Sequence, residues 1–292
     1  MITKESPLLK LEGRSGCKLE VLNKGGILSV RKISRESGYN ARLLLQAAKQ
    51  QHFFKNPWSV EFSTPEVSTH ANADEPLTWF EMPYLHGQKY SEFFERASIQ
   101  EIKNLALKFE RHFALGLANS KIEAIDPGIF LPKLEAVCGL LRGRSDIDQR
   151  LVKLAADYLE NIPASFMPAS ACHGDFTFSN MIFGEEAIYL VDFLDSFVES
   201  PLIDLVKFRQ DTFFYWSLLI ENQLPENRSS KIIQIFNYLD KQVFGNLADN
   251  KFVKEWYTYL QVFNLLRILP YVSHKKEIDF VQKNMQRIIL IV

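Results

Sequence analysis

Hydrophobic and polar positions follow two different periods along the chain. Before Gly87 they mostly alternate, as a half-buried strand requires, and beyond it they recur at helical spacing. Residues 8–11 and 18–22 are predicted strands separated by Gly13-Arg14-Ser15-Gly16. Lys24-Gly25-Gly26 is a predicted hairpin turn, because glycine takes positive φ without steric cost. The strand expected over residues 27–33 sets Leu28, Val30 and Lys32 on one face. Residues 40–51 are predicted helical. Residues 58–62 and 77–84 are predicted strands on either side of an exposed polar connection. In the second part, Ile102, Leu105, Phe109 and Phe113 mark a helix face. Further helices are expected over 131–141, 151–159, 203–221, 230–243, 251–268 and 278–289, interrupted by a strand-like stretch at 180–193. There is no internal repeat. The pattern implies an α+β, bilobed protein: a small β-rich N-terminal lobe, residues 1–86, and a larger, mainly helical C-terminal lobe, residues 87–292.

Composition narrows the function. Of 292 residues, 47% are hydrophobic and 13% aromatic, with 23 Phe, which describes an ordered globular chain. Lys and Arg number 34 against 35 Asp and Glu, so no excess of positive charge calls for a nucleic-acid partner or an anionic membrane. The oligomeric state leaves no mark in the sequence. Cys17, Cys138 and Cys172 lie far apart, without zinc-ligand spacing or the density of a disulfide framework. The first residues lack an apolar leader, and no run of about 18 apolar residues spans a bilayer. A cytoplasmic protein is expected.

The chemistry concentrates in Cys172-His173-Gly174-Asp175-Phe176-Thr177-Phe178-Ser179-Asn180 and in Tyr189-Leu190-Val191-Asp192-Phe193-Leu194-Asp195. Residues 181–183 and 187–191 are β-prone runs about Gly184-Glu185-Glu186, a hairpin that sets Asn180 across from Asp192. Two oxygen ligands so placed suit a hard cation such as Mg²⁺. Asp175, on the loop that enters the hairpin, is a separate carboxylate that could orient an attacking hydroxyl and take its proton. Taken singly, Asp175 and Asn180 suit turn capping equally well. His-Gly-Asp-x₄-Asn followed twelve residues later by a strand-borne Asp-Phe points instead to phosphoryl transfer.

These residues resemble the aminoglycoside phosphotransferase and choline kinase family, relatives of the protein kinases. The family's His-Gly-Asp-x₄-Asn matches His173, Gly174, Asp175 and Asn180. Its Ile/Val-Asp-Phe matches Val191, Asp192 and Phe193, and its Pro-x-x-Asp-Leu is similar to Pro201-Leu202-Ile203-Asp204-Leu205. The resemblance implies a protein-kinase-like fold and an ATP- and Mg²⁺-dependent kinase of small molecules. Asp175 would be the base, Asn180 and Asp192 the Mg²⁺ ligands, His173 a supporting residue and Asp204 a structural one.

The N-terminal lobe reads consistently with this. Val30-Arg31-Lys32 looks like the kinase Val-x-Lys, with Val30 under the adenine and Lys32 on the phosphates; an exposed basic pair on an edge strand fits the segment as well. Gly13 and Gly16 fall where a phosphate-covering loop would lie. Met82, Pro83 and Leu85 fall in a segment that resembles the family's adenine-facing hinge, or equally a strand ending at a turn. The glutamate that kinases pair with the strand lysine falls at Gln46, a departure that keeps open a nucleotide-binding regulatory module without transfer activity. The acceptor is expected to be a hydroxyl of a small metabolite: a sugar, amino sugar or amino alcohol. The aromatic clusters 213–216 and 256–259 suit core packing more than a choline cage, Arg209 and Asp211 are candidates for a polar acceptor or a surface pair, and the loop lacks the Arg of protein kinases.

Overall fold

A computed structural model describes residues 8–11, 17–70, 76–221 and 226–291. The glycines proposed for the phosphate loop, Gly13 and Gly16, lie outside the described residues. In chain order the elements are β1 (Leu9–Leu11), β2 (Cys17–Lys24), β3 (Ile27–Ser34), α1 (Asn40–Lys55), β4 (Ser68–His70), β5 (Trp79–Pro83), α2 (Tyr90–Arg96), α3 (Ile99–Ala118) and β6 (Lys121–Ile125). They continue with α4 (Leu131–Leu141), α5 (Gln149–Glu160), β7 (Ser165–Ala169), β8 (Met181–Phe183), β9 (Ile188–Leu190), α6 (Pro201–Thr212), α7 (Trp216–Ile220), α8 (Glu226–Leu247), α9 (Lys251–Ile268) and α10 (Lys275–Ile291). Among the described residues no helix is long and apolar enough to cross a membrane.

The chain divides into two compact units, Met1–Phe93 with Ser179–Asp195 and Phe94–Phe178 with Ser196–Val292. The first unit is built on an antiparallel five-stranded sheet in the order β1-β2-β3-β5-β4. Gly25 (φ 63°) and Gly26 (φ 93°) form the β2–β3 turn, as the sequence requires. The strand β3 is interior rather than an edge, and its alternation buries Val30, Lys32 and Ser34. Helix α1 packs Leu43 and Ala47 against Cys17, Val67 and Phe80 to form the core of the sheet. The hairpin β8–β9 belongs to this unit, although it falls in the sequence range first assigned to the C-terminal lobe. Gln88 pairs with Phe183, and a Cβ on Gly87 would stand 2.6 Å from Ile182 Cγ2, so only glycine permits this approach.

Residues 58–62 form no strand. Alternation would put Trp58, Val60 and Phe62 on one face, yet Val60 is 86% exposed while Phe62 is buried. The chain pairs one residue later instead: Ser63 N–H donates to Ile188 O (3.0 Å) and Ser63 O accepts from Leu190 N–H (2.8 Å). Strand β4 falls within the polar connection, where Ser68, Thr69 and His70 are all exposed and no hydrophobic alternation announces them.

Among the described residues the second unit is helical except for the antiparallel pair β6–β7, whose strands are separated in the chain by α4 and α5. The helical reading passed over β6, whose residues are nearly all exposed. Its core holds a phenylalanine cluster in which Phe109 lies 5.9, 5.5 and 4.9 Å from Phe176, Phe178 and Phe208. The single helix expected over 203–221 is two, α6 and α7. It breaks at Tyr215 (φ 56°), and Asp211 Oδ1 accepts from Ser217 N–H (2.9 Å) as α7 begins, in place of a continued helical hydrogen bond.

Candidate phosphotransferase site

In the first unit, one buried lysine organises the site. Lys32 is 4% exposed, and its ammonium donates to Gln46 Oε1 (3.2 Å) and to Asp192 Oδ1. Burial works to lower the Lys32 pKa, but the charge and hydrogen bond of Asp192 outweigh it, so the group is held above its ordinary value. Gln46 stands where the sequence put it, and its amide donates to the Tyr39 hydroxyl (3.0 Å). Val30 lies directly opposite Met82, and Pro83 opposite Ser29, across β3 and β5. Leu85 is half-buried just beyond β5.

The hairpin brings the backbone of Asn180 next to the residue that precedes Asp192. Met181 pairs with Leu190, and Val191 N–H donates to Asn180 O (3.0 Å). Asn180 therefore faces Val191, one residue short of the expected register, and Asp192 follows with φ 63°, a conformation that Asp tolerates better than most residues. The segment after it is gripped by α1 at three points. Besides Gln46, which holds Lys32, Lys49 donates to Leu194 O (2.8 Å) and Arg42 Nε to Asp195 (2.9 Å), while Phe53 packs 5.5 Å from Phe193. Arg42, Gln46, Lys49 and Phe53 form one stripe at helical spacing. The donor set of one carboxamide and one carboxylate, both hard oxygens on adjoining hairpin positions, fits Mg²⁺, which also draws on waters and phosphate.

In the second unit, the loop 173–178 is anchored from below by Phe176 and Phe178, both fully buried, and held by α6. Asp204, buried, accepts from His173 N–H (2.6 Å) and Gly174 N–H (2.8 Å). Gly174 has φ 87°, which a side chain would strain. Asp175 N–H donates to His173 Nδ1 (3.2 Å), which makes Nδ1 the acceptor and leaves the ring proton on Nε2. The Asp175 carboxylate pairs with Lys207 (3.0 Å).

Asp211 is fully buried and accepts from Phe178 N–H (2.8 Å) as well as from Ser217. Burial raises its pKa to about 6, opposed by the hydrogen bonds from Ser217 and Phe178 and reinforced by the charge of Asp175. Arg209, buried, is bidentate to Asp240 (2.8 and 3.1 Å) and packs over Phe244. Neither Asp211 nor Arg209 is a surface residue, and they do not pair with each other. Sequence reasoning passed over Lys207, although Asp204, Lys207 and Asp211 follow the i, i+3, i+7 spacing of one helix face and the motif supplies the first of them.

Residues 32–224 match the sequence profile of the phosphotransferase enzyme family, APH. The chain belongs to that family. Among curated proteins, none matches the sequence of this phosphotransferase. In three dimensions it is similar to a thermostable mutant of aminoglycoside phosphotransferase APH(4)-Ia in ternary complex with AMP-PNP and hygromycin B, at 14% identity and TM-score 0.59, over 99% of this chain and 95% of that one. It is also similar to APH(2")-IIa in complex with gentamicin, at 12% identity and TM-score 0.56, over 99% and 93% of the two chains. A third similar structure is spectinomycin phosphotransferase APH(9)-Ia with ADP and spectinomycin, at 13% identity and TM-score 0.52, over 97% and 92%. At such identities the likeness shows the fold, which is the protein-kinase-like fold of the family.

Proposed function

We propose that this phosphotransferase is an ATP- and Mg²⁺-dependent kinase that moves the γ-phosphate to a hydroxyl of a small metabolite: a sugar, amino sugar or amino alcohol. The observation that carries the reading is Lys32, buried on an interior strand and drawn to Asp192 across 160 residues of chain. Burying an ammonium costs several kcal/mol unless it is paired, which is reasonable for a cation that serves phosphates.

In this reading Val30 and Met82 flank the adenine, and Pro83 and Leu85 present the backbone at its edge. Asn180 and Asp192 would hold Mg²⁺, and the ion would supply charge neutralisation on the phosphate oxygens. Asp175 receives the acceptor. The hydroxyl oxygen forms a bond to the γ-phosphorus as the bond from that phosphorus to the bridging oxygen breaks. The bonding pair leaves with ADP, and the hydroxyl proton passes to the Asp175 carboxylate. His173 fixes the loop by accepting the Asp175 N–H.

A second reading, a nucleotide-binding module without transfer, is favoured by Gln46, since a carboxamide accepts from Lys32 but brings no charge to it. Calorimetric titration with ATP and magnesium, wild type beside Asp192→Ala, tests both. Metal-dependent binding that weakens at least tenfold in the variant, about 1.4 kcal/mol, supports a nucleotide site. Turnover with a hydroxyl acceptor then separates the kinase from the silent module. No binding by folded wild type would sink both readings.

A further inference from the structure

We propose that Lys207 is a positioning residue of the phosphotransferase, fixing the Asp175 carboxylate for the acceptor hydroxyl and setting that end of the site against polycationic acceptors. The inference rests on Asp175 being the base and narrows the acceptor class toward neutral or anionic polyols.

Lys207 lies on α6 one turn after Asp204, on the face that holds the loop. Asp204 fixes the backbone of His173 and Gly174, and Lys207 Nζ then meets the next side chain, Asp175, at 3.0 Å. The side chains of Lys207 and Asp175 are 13% and 25% exposed, so the pair is screened less than a surface pair and keeps its geometry better. The ammonium also donates to Gln210 Oε1 (3.3 Å), which is itself held by Asn264 (2.9 Å). Lys207 is thus held from two sides and is not a swinging surface charge. Asp204 and Asp211, its neighbours on the same helix face, are buried and engaged with backbone N–H groups of the loop.

The consequence for the acceptor is electrostatic. A hydroxyl flanked by several ammonium groups would approach a carboxylate already matched by a lysine, and would meet that lysine as a like charge. A neutral sugar or a sugar acid meets no such repulsion. One oxygen of Asp175 is engaged by Lys207, and this orients the carboxylate for the incoming hydroxyl. Misplacing a catalytic group by about 1 Å costs roughly 10²-fold in rate.

The test compares wild type, Lys207→Met, Lys207→Arg and Asp175→Ala. ADP formation from ATP and magnesium is followed with water as acceptor, then with neutral hexoses, sugar acids and hygromycin B. Lys207→Met is expected to lower kcat roughly 10²-fold while KM for ATP stays within about twofold, because nucleotide binding is not disturbed. Lys207→Arg is expected to recover most of the loss, and wild type to leave hygromycin B unmodified. An unchanged kcat in Lys207→Met, or efficient phosphorylation of hygromycin B by wild type, overturns the proposal. If Asp175→Ala forms ADP with these acceptors as fast as wild type, the role of Asp175 as base is what has failed. The pair itself is read separately from the rate of Lys207 acetylation by mass spectrometry. That rate rises several-fold in Asp175→Asn if the two side chains are paired, and an unchanged rate overturns the pairing whatever the turnover.

Discussion

Helices α1 and α6 do the same job with opposite chemistry. Helix α1 presents Arg42, Gln46, Lys49 and Phe53 along one stripe, and its cations reach the side chain of Asp195 and the carbonyl of Leu194. Helix α6 presents Asp204, Lys207 and Asp211, and its carboxylates accept backbone N–H groups of His173, Gly174 and Phe178. The α1 contacts are spread over half-exposed groups such as Arg42 and Asp195, where an ion pair contributes up to about 1 kcal/mol. The α6 contacts are buried and charge-assisted, worth about 1.5–3 kcal/mol each. The loop that carries Asp175 is therefore held by its backbone, and the segment that carries Asp192 mainly by side chains.

Three measurements would break or sharpen this contrast, the largest effect first. Asp204→Ala removes the acceptor of two buried N–H groups and is expected to cost about 3 kcal/mol or more in urea unfolding, with Asp204→Asn losing less because its carbonyl still accepts. A variant as stable as wild type would mean that α6 does not hold the loop by its backbone.

The next effect concerns His112, which stacks 4.7 Å from Phe176 under the same loop. Burial, with the neighbouring His173 ring adding to it, lowers its pKa to about 3. The unfolded chain takes up this proton at its ordinary value of about 6.5, so the unfolded state binds more protons between these two values and stability falls as pH drops through that window. From pH 7 to pH 5 the loss is about 2 kcal/mol, and His112→Gln is expected to flatten it in urea midpoints measured across that range. Equal slopes for the two proteins would show that His112 is not buried uncharged.

The smallest effect belongs to α1. Gln46→Ala removes one acceptor from Lys32 while Asp192 remains, and is expected to cost about 1 kcal/mol in ATP affinity by calorimetry. A loss as large as that of Asp192→Ala would show that α1 fixes Lys32 as strongly as Asp192 does.

The local rules carried a good part of the architecture. Helices α4 and α9 run over the residues the periodicity marks, and the glycine turn between β2 and β3 follows from positive φ. The motif residues His173, Gly174, Asp175, Asn180 and Asp192 were legible because their types and spacing are rare together. Less legible were elements that obey no local hydrophobic rule. Strand β4 is polar and exposed and exists through its pairing with β5, and β6 is likewise exposed and exists through its pairing with β7. The break between α6 and α7 is set by a carboxylate that reaches forward to Ser217, which periodicity does not register.

By itself the sequence determined the family, because His-Gly-Asp-x₄-Asn followed by Val-Asp-Phe is a rare combination at fixed local spacing. It also determined the helical stripes, because i, i+3, i+4 and i+7 positions share a face whatever they contact. Tertiary structure decided what each stripe meets. Lys32 finds Asp192 across 160 residues, and Lys207 finds Asp175 from beyond both β8 and β9 in the chain. Such partners are selected by packing and by the cost of leaving a buried charge unmatched, and neither is a property of any local stretch of chain.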